Sequence, residues 1–248
     1  MENQTVTSKK VPMSQKIAFG VGMLANQMFP AALGVFIIVL VQDLGFAALL
    51  WGIIQFAPRI FDAITDPIMG FISDNTKSKW GRRRQYVFIG GILMGIAYIA
   101  MWQIHRENGI LFNFIYFFLW SLVFYLGLTI FSVPYVAMGY EISEDFHERT
   151  QIMAIAQFIG QWAWVIAPWF WVILYDPEWF PIGADQGVRE LSVWVALSCT
   201  LFAIVPAIFI KSKSTLDRTD FLSINASYVM KSIKGIFLSA FEAFKIKQ

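Results

Sequence analysis

Apolar residues run along this chain in six long stretches, roughly 17–41, 49–72, 86–103, 110–140, 151–175 and 191–210, separated by short polar segments. A helix needs about 20 mostly apolar residues to cross a bilayer. Each stretch therefore predicts one membrane-spanning helix. The fourth and fifth exceed that length and predict tilt or extension beyond the hydrocarbon. The pattern divides the chain into an N-terminal arm (1–16), a six-helix bundle (17–210) and a polar C-terminal segment (211–248). In that last segment Ile233, Phe237, Phe241 and Phe244 recur at helical spacing among Lys231, Lys234, Lys245 and Lys247. This predicts an amphipathic helix lying on the membrane surface. The fold class is an all-α membrane protein, six transmembrane helices forming one bundle.

Composition agrees. Of 248 residues 57% are hydrophobic and 15% charged, with a mean hydropathy of +0.58. A soluble domain carries roughly 25% charged residues. Of the 19 Lys and Arg, all but Arg59, Arg106 and Arg189 fall in the two terminal segments or in the loops after the second and fourth spans. Basic loops stay on the cytoplasmic side, so both termini are expected there, in an integral plasma (inner) membrane protein. Cys199 is the single cysteine, and the two histidines, His105 and His147, lie far apart. Neither a disulfide framework nor a metal centre is expected.

Charge enters the apolar pattern in one place. The second span carries Gln55, Arg59, Asp62 and Asp66 at spacings of 4, 3 and 4, which share one helical face. Ionisable groups at membrane depth are costly unless paired or facing water, and they mark functional sites. Two carboxylates and one guanidinium leave a formal charge of −1. One bound monovalent cation, or one proton, brings it to zero, and oxygen ligands suit a hard cation. An ion-pair network that only packs helices is the competing reading.

Other polar stripes lie at similar depth. The fourth span has Tyr125, Thr129 and Ser132, followed by Pro134; the fifth has Gln157, Gln161 and Trp164; the first has Asn26 and Gln27. For any one residue, helix packing and ligand binding compete. Four spans with polar faces together favour a cavity. At the cytoplasmic end, Gly70 would allow close helix contact, and Asp74 would pair with an arginine of the run Gly81, Arg82, Arg83, Arg84 to hold an inner gate.

The ordered set Asp62-x-x-x-Asp66-Pro67-x-x-Gly70-x-x-x-Asp74, then Gly81-Arg82-Arg83-Arg84, resembles the glycoside–pentoside–hexuronide:cation symporters. These form the melibiose-permease-like branch of the major facilitator superfamily. Val133-Pro134-Tyr135, Glu141 and Glu148-Arg149-Thr150 extend the resemblance over the fourth span and the loop after it. The resemblance implies a fold of two six-helix bundles, of which this chain supplies the N-terminal one. It implies a central cavity and alternating access by rocking of the bundles. Asp62 and Asp66 match the cation-binding carboxylates, Thr129 a residue near the same cation, and Arg59 a charged neighbour. Thr65 stands where melibiose permeases often have Asn. Arg149 lies in the loop that helps close the cytoplasmic side. Positions that carry charge for a galactoside are here Gln27 or Asn26, Ser132 and Gln157. Some relatives carry lysolipids.

The function expected is cation-coupled (Na+ or H+) symport of a small organic solute, a sugar or glycoside, with a lysolipid-like amphiphile as the alternative substrate. The competing class is a half-size membrane scaffold or assembly subunit. An intramembrane enzyme is excluded by the lack of a serine–histidine, paired-aspartate or zinc arrangement at depth. The partners expected are the solute, a monovalent cation, membrane lipid and a second six-helix bundle, in the same longer chain or another subunit. No cofactor and no nucleic acid are expected.

Overall fold

A computed structural model describes residues 10–181 and 183–210. The C-terminal segment, with its expected amphipathic helix, and residues 1–9 lie outside the described residues. Six helices follow one another: α1 (Met13–Gln42), α2 (Ala48–Asp74), α3 (Arg84–Met101), α4 (Ile110–Glu141), α5 (Phe146–Leu174) and α6 (Ala184–Phe209). A short 3-10 turn, Arg106–Asn108, precedes α4. Among the described residues there is no strand. Five of the helices are long and apolar enough to cross a membrane. The sixth, α2, is 27 residues long but carries Arg59, Asp62 and Asp66 within its length.

Each apolar stretch becomes one helix, with longer ends. α5 begins at Phe146 rather than 151 because Asp145 caps it, its carboxylate accepting from Glu148 N at 2.8 Å. Capping satisfies amides that the first helical turn leaves without partners. α6 begins at Ala184 rather than 191, through polar first turns that contain Asp185, Arg189 and Glu190. Apolar patterning marks the part in hydrocarbon, and the polar turns extend past it. Arg149, read as a loop residue, therefore stands in the first turn of α5.

α1 is the most enclosed helix, packed along α5 and α6, while α3 packs along α4 and α6. α2 leans on α4 and barely touches α1; only Ile54, Pro58, Met69 and Ser73 of it are buried. In lipid, helix association rests on close packing rather than on hydrophobic exclusion. The α3–α4 crossing shows this. A Cβ on Gly90 would lie 2.5 Å from Phe131 N, and one on Gly127 would lie 2.8 Å from Met94 N. Between α1, α3 and α4, Phe29, Phe36, Tyr98, Trp102, Phe117 and Phe124 form a continuous buried aromatic core. Nearer the end where α1 begins, Tyr135 stacks on Phe19 at 4.6 Å and its hydroxyl donates to Phe19 O.

Gly70 departs from its expected role. A Cβ there would meet only Val133 Cγ1, at 3.8 Å, an ordinary contact. Close backbone approach belongs to Gly90 and Gly127. Gly90→Ala should therefore destabilise the bundle by about 1–3 kcal/mol, as overpacking does, whereas Gly70→Ala should leave it as stable or more so. Thermal unfolding of the purified protein in detergent compares the two.

Candidate cation and substrate site

The carboxylates of α2 meet α4 near the middle of both helices. Thr129 Oγ1 donates to Asp66 Oδ1 at 2.8 Å, and Thr65 Oγ1 lies 3.3 Å from Thr129 Oγ1. Thr65 also donates back to Phe61 O at 3.0 Å. Thr129 is buried, Thr65 and Asp62 are half-buried, and Asp66 is exposed on the face that α4 leaves open. Asp62 Oδ1 is a buried oxygen with no hydrogen-bond partner. A buried carboxylate oxygen without a donor costs free energy, and here it lies one helical turn from a second carboxylate. The arrangement brings the Asp66 carboxylate and two hydroxyl oxygens together where α2 crosses α4, with Asp62 one helical turn away on α2. Among the described residues no three His, Cys, Asp or Glu side chains assemble. Arg59 is exposed on the same helix and makes no ion pair among the described residues.

A second polar surface lies on α1 and α5. Trp164 Nε1 donates to Gln27 Oε1 at 3.0 Å, near the middle of both helices. Gln157 and Gln161 are exposed on the same face of α5, and Asn26 is half-buried with Nδ2 3.7 Å from Met23 Sδ. Tyr125 is buried in α4, packed edge-on against Phe124 at 5.4 Å, and Ser132 is half-buried further along α4. Ser132, Gln157 and Gln161 make no hydrogen bond among the described residues, so the structure does not tie them to the other polar groups.

The end of the bundle where α2 and α4 finish holds a tight ion cluster. Gly81 turns the loop with φ 96°, a conformation that glycine adopts without strain. That turn carries Arg82 and Arg83 to the ends of α2 and α4. Arg83 pairs with Asp74 and, through Nη1, with Glu141 Oε2 at 2.9 Å; Arg82 pairs with Glu141 and donates from Nη1 to Asp74 O at 3.3 Å. Arg84 is separate from this group. Its Nε donates to Ala207 O at 2.7 Å and its Nη2 to Ile208 O at 3.0 Å, with the guanidinium 5.2 Å from the centre of the Trp80 ring. It satisfies carbonyls that the last turn of α6 leaves open. Arg149 joins no ion pair among the described residues.

Sequence reasoning missed a second clasp. Lys16 Nζ lies 2.6 Å from Glu148 Oε1, both side chains are buried, and Val11 N donates to that same oxygen at 3.1 Å. Lys16 Nζ also donates to Gln151 Oε1 at 3.2 Å. This joins the start of α1 to the start of α5. The signal available was Glu148 itself, an acidic residue three positions after a capping Asp145. At the opposite end Tyr175 donates to Asp43 Oδ2 at 2.8 Å.

A family profile described as MFS/sugar transport protein matches residues 18–215. The chain belongs to this family of membrane transporters. Its proteins are symporters rather than enzymes, and the chain is an integral membrane protein. It is 33% identical over 156 residues to an uncharacterised symporter of Synechocystis sp., covering 60% of this chain and 29% of that protein. It is 28% identical over 244 residues to a lactose permease of Leuconostoc lactis, 90% of this chain and 37% of the permease. It is 30% identical over 146 residues to the sodium-dependent lysophosphatidylcholine symporter 1 of Xenopus tropicalis, 56% and 27% respectively. The chain thus spans well under half the length of these relatives.

The buried Lys16–Glu148 pair should behave as a unit, because removing one partner leaves the other charge buried and alone. Lys16→Met and Glu148→Gln should each lower the thermal midpoint, and the double variant should recover part of the loss. Unfolding curves of the four proteins measure it.

Proposed function

We propose that this chain is the N-terminal bundle of a cation-coupled symporter for a small organic solute, working by alternating access against a second six-helix bundle. The observation that carries the reading is the meeting of Asp66, Thr65 and Thr129 where α2 crosses α4, one helical turn from the unpartnered buried oxygen of Asp62. The coupling ion is Na+. A proton needs only a carboxylate, whereas a metal ion uses the neutral hydroxyl oxygens that Thr65 and Thr129 add. Its charge neutralises the cluster and gives the unpartnered Asp62 oxygen a partner.

Binding there ties α2 to α4. α2 has almost no other partner within the bundle, so its position is free to respond to occupancy. The second bundle covers the faces of α2 and α5 whose polar groups would otherwise meet lipid, where nothing satisfies them. The cytoplasmic cluster of Asp74, Arg82, Arg83 and Glu141 closes the inner side, with both termini on that side, as the lysine and arginine distribution supports. The family and the relatives named as lactose permeases support a sugar or glycoside as the solute, and the relative named for lysophosphatidylcholine supports an amphiphile as the second candidate.

The test is uptake of labelled lactose, and separately of labelled lysophosphatidylcholine, by the complete protein in proteoliposomes. An inward Na+ gradient should drive uptake of one of them, and a K+ gradient should not. Asp62→Asn and Asp66→Asn should each reduce Na+-driven uptake by about tenfold or more, the loss expected when a charged ligand is removed. Thr129→Val should raise the Na+ concentration needed for half-maximal uptake. Uptake equal in Na+ and K+ and indifferent to both aspartates would sink the proposal. No uptake from a well-folded protein would favour a scaffold role.

A further inference from the structure

α3 and α6 pack on each other along a side of the bundle where neither packs on α2. They come closest through small residues. A Cβ on Gly91 would lie 3.0 Å from Ala203 Cβ, and one on Gly95 would run into Thr200 Oγ1. Small residues let two membrane helices approach this tightly, and helices crossing at an angle part again on either side of the contact. Toward the start of α6 the parting opens a groove of about 530 Å³ between Ile92, Ile96, Ile99, Trp194, Leu197 and Leu201. Ile96, Trp194, Leu197 and Leu201 are exposed, so the groove faces outward from the bundle. Ser198 also lines it, but its Oγ lies 2.9 Å from Trp194 O, so the hydroxyl is satisfied within α6.

Depth says what covers this groove. Glu190, Trp194, Leu197 and Leu201 stand at spacings of 4, 3 and 4 along α6 and form one stripe. The apolar stretch of this helix starts at about residue 191, so Glu190 stands at the polar edge of the membrane. Trp194 is one turn inside, where interfacial tryptophans sit. At 1.5 Å per residue the stripe reaches about 16 Å inward, half of a hydrocarbon core about 30 Å thick. The groove therefore has the reach of one leaflet. A helix of a second copy would cover the full span, whereas one acyl chain covers this half. Glu190 is exposed, and its Oε1 accepts from Gln186 Nε2 at 2.8 Å. Arg106 and Arg189 turn to Asp185 instead. A carboxylate at that rim attracts an ammonium headgroup and repels a lipid of net negative charge.

We propose that the α3–α6 groove holds an acyl chain of one phospholipid whose ammonium headgroup meets Glu190, in the leaflet at which α6 begins. This is a lipid site on the outside of the bundle, separate from the ion cluster of α2 and α4, and it does not depend on the symporter reading.

The experiment is native mass spectrometry of the purified complete protein, released from nanodiscs that contain equal parts of phosphatidylethanolamine, phosphatidylcholine and phosphatidylglycerol. The protein should retain a lipid, with phosphatidylethanolamine favoured over phosphatidylglycerol by about tenfold. Phosphatidylcholine should fall between them, because its quaternary ammonium attracts the carboxylate but donates no hydrogen bond. Glu190→Gln should erase the preference and leave a lipid bound. Ser198→Trp, which places an indole in the groove, should lower the number of retained lipids by one, while Ser198→Ala should not. Equal unfolding midpoints of the lipid-free variants separate loss of the groove from loss of the fold, and Glu190→Gln probes the same site from an exposed residue. No retained lipid, phosphatidylglycerol retained as well as phosphatidylethanolamine, a preference that survives Glu190→Gln, or a lipid count unchanged by a folded Ser198→Trp overturns the proposal. A two-chain species that forms in place of the lipid adduct and is lost in Ser198→Trp also overturns it and gives the groove to a second copy.

Discussion

Charge at the depth of the hydrocarbon is the constraint on which this structure turns. Three ionisable side chains stand near the middle of α2, and at membrane depth each is expensive unless it meets a partner, a cation or water. The bundle deals with them only in part. Thr129 reaches Asp66, while Asp62 keeps a buried oxygen without a donor and Arg59 makes no ion pair among the described residues. Structural ion pairs are usually closed on themselves. Here the cluster is left one positive charge short, on the helix with the least support from its own bundle.

The rest of the architecture follows from isolating that helix. α1 and α5 are fastened where both helices begin by Lys16 and Glu148, near the middle by Gln27 and Trp164, and at the far end by Asp43 and Tyr175. α2 and α4 are fastened by Asp66 and Thr129 and by the arginines that bridge Asp74 and Glu141. Contact between these two pairs is slight, and α3 and α6 join them from behind. Near the middle of the helices the charged side chains stand on α2, whereas α1 and α5 meet there through an amide and an indole.

Much of this was legible in the sequence. Apolar run length found all six helices, because hydrocarbon thickness sets a minimum that few soluble segments meet. The 3- and 4-residue spacing of Arg59, Asp62 and Asp66 put them on one face, and the ordered motif to Arg84 pointed to the family. Helix ends were less legible, since polar turns such as Phe146–Arg149 carry no apolar signal. Gly70 showed that a glycine in a motif need not sit at a close crossing; Gly90 and Gly127 do, and only the packing reveals it. The arginine run read as one gate, yet Arg84 turned to the carbonyls of α6, a choice made by tertiary geometry. The Lys16–Glu148 clasp joins residues far apart in the chain, and no local pattern reports such a pair.

The most direct measurement is the thermal midpoint of the purified complete protein as NaCl replaces KCl at constant ionic strength. A ligand that binds the folded state raises stability in proportion to the logarithm of its concentration above the dissociation constant. The account predicts a rise that saturates as a single site and disappears when Asp62 and Asp66 are both changed to Asn. A midpoint indifferent to Na+, or a rise that survives in the double variant, would contradict it.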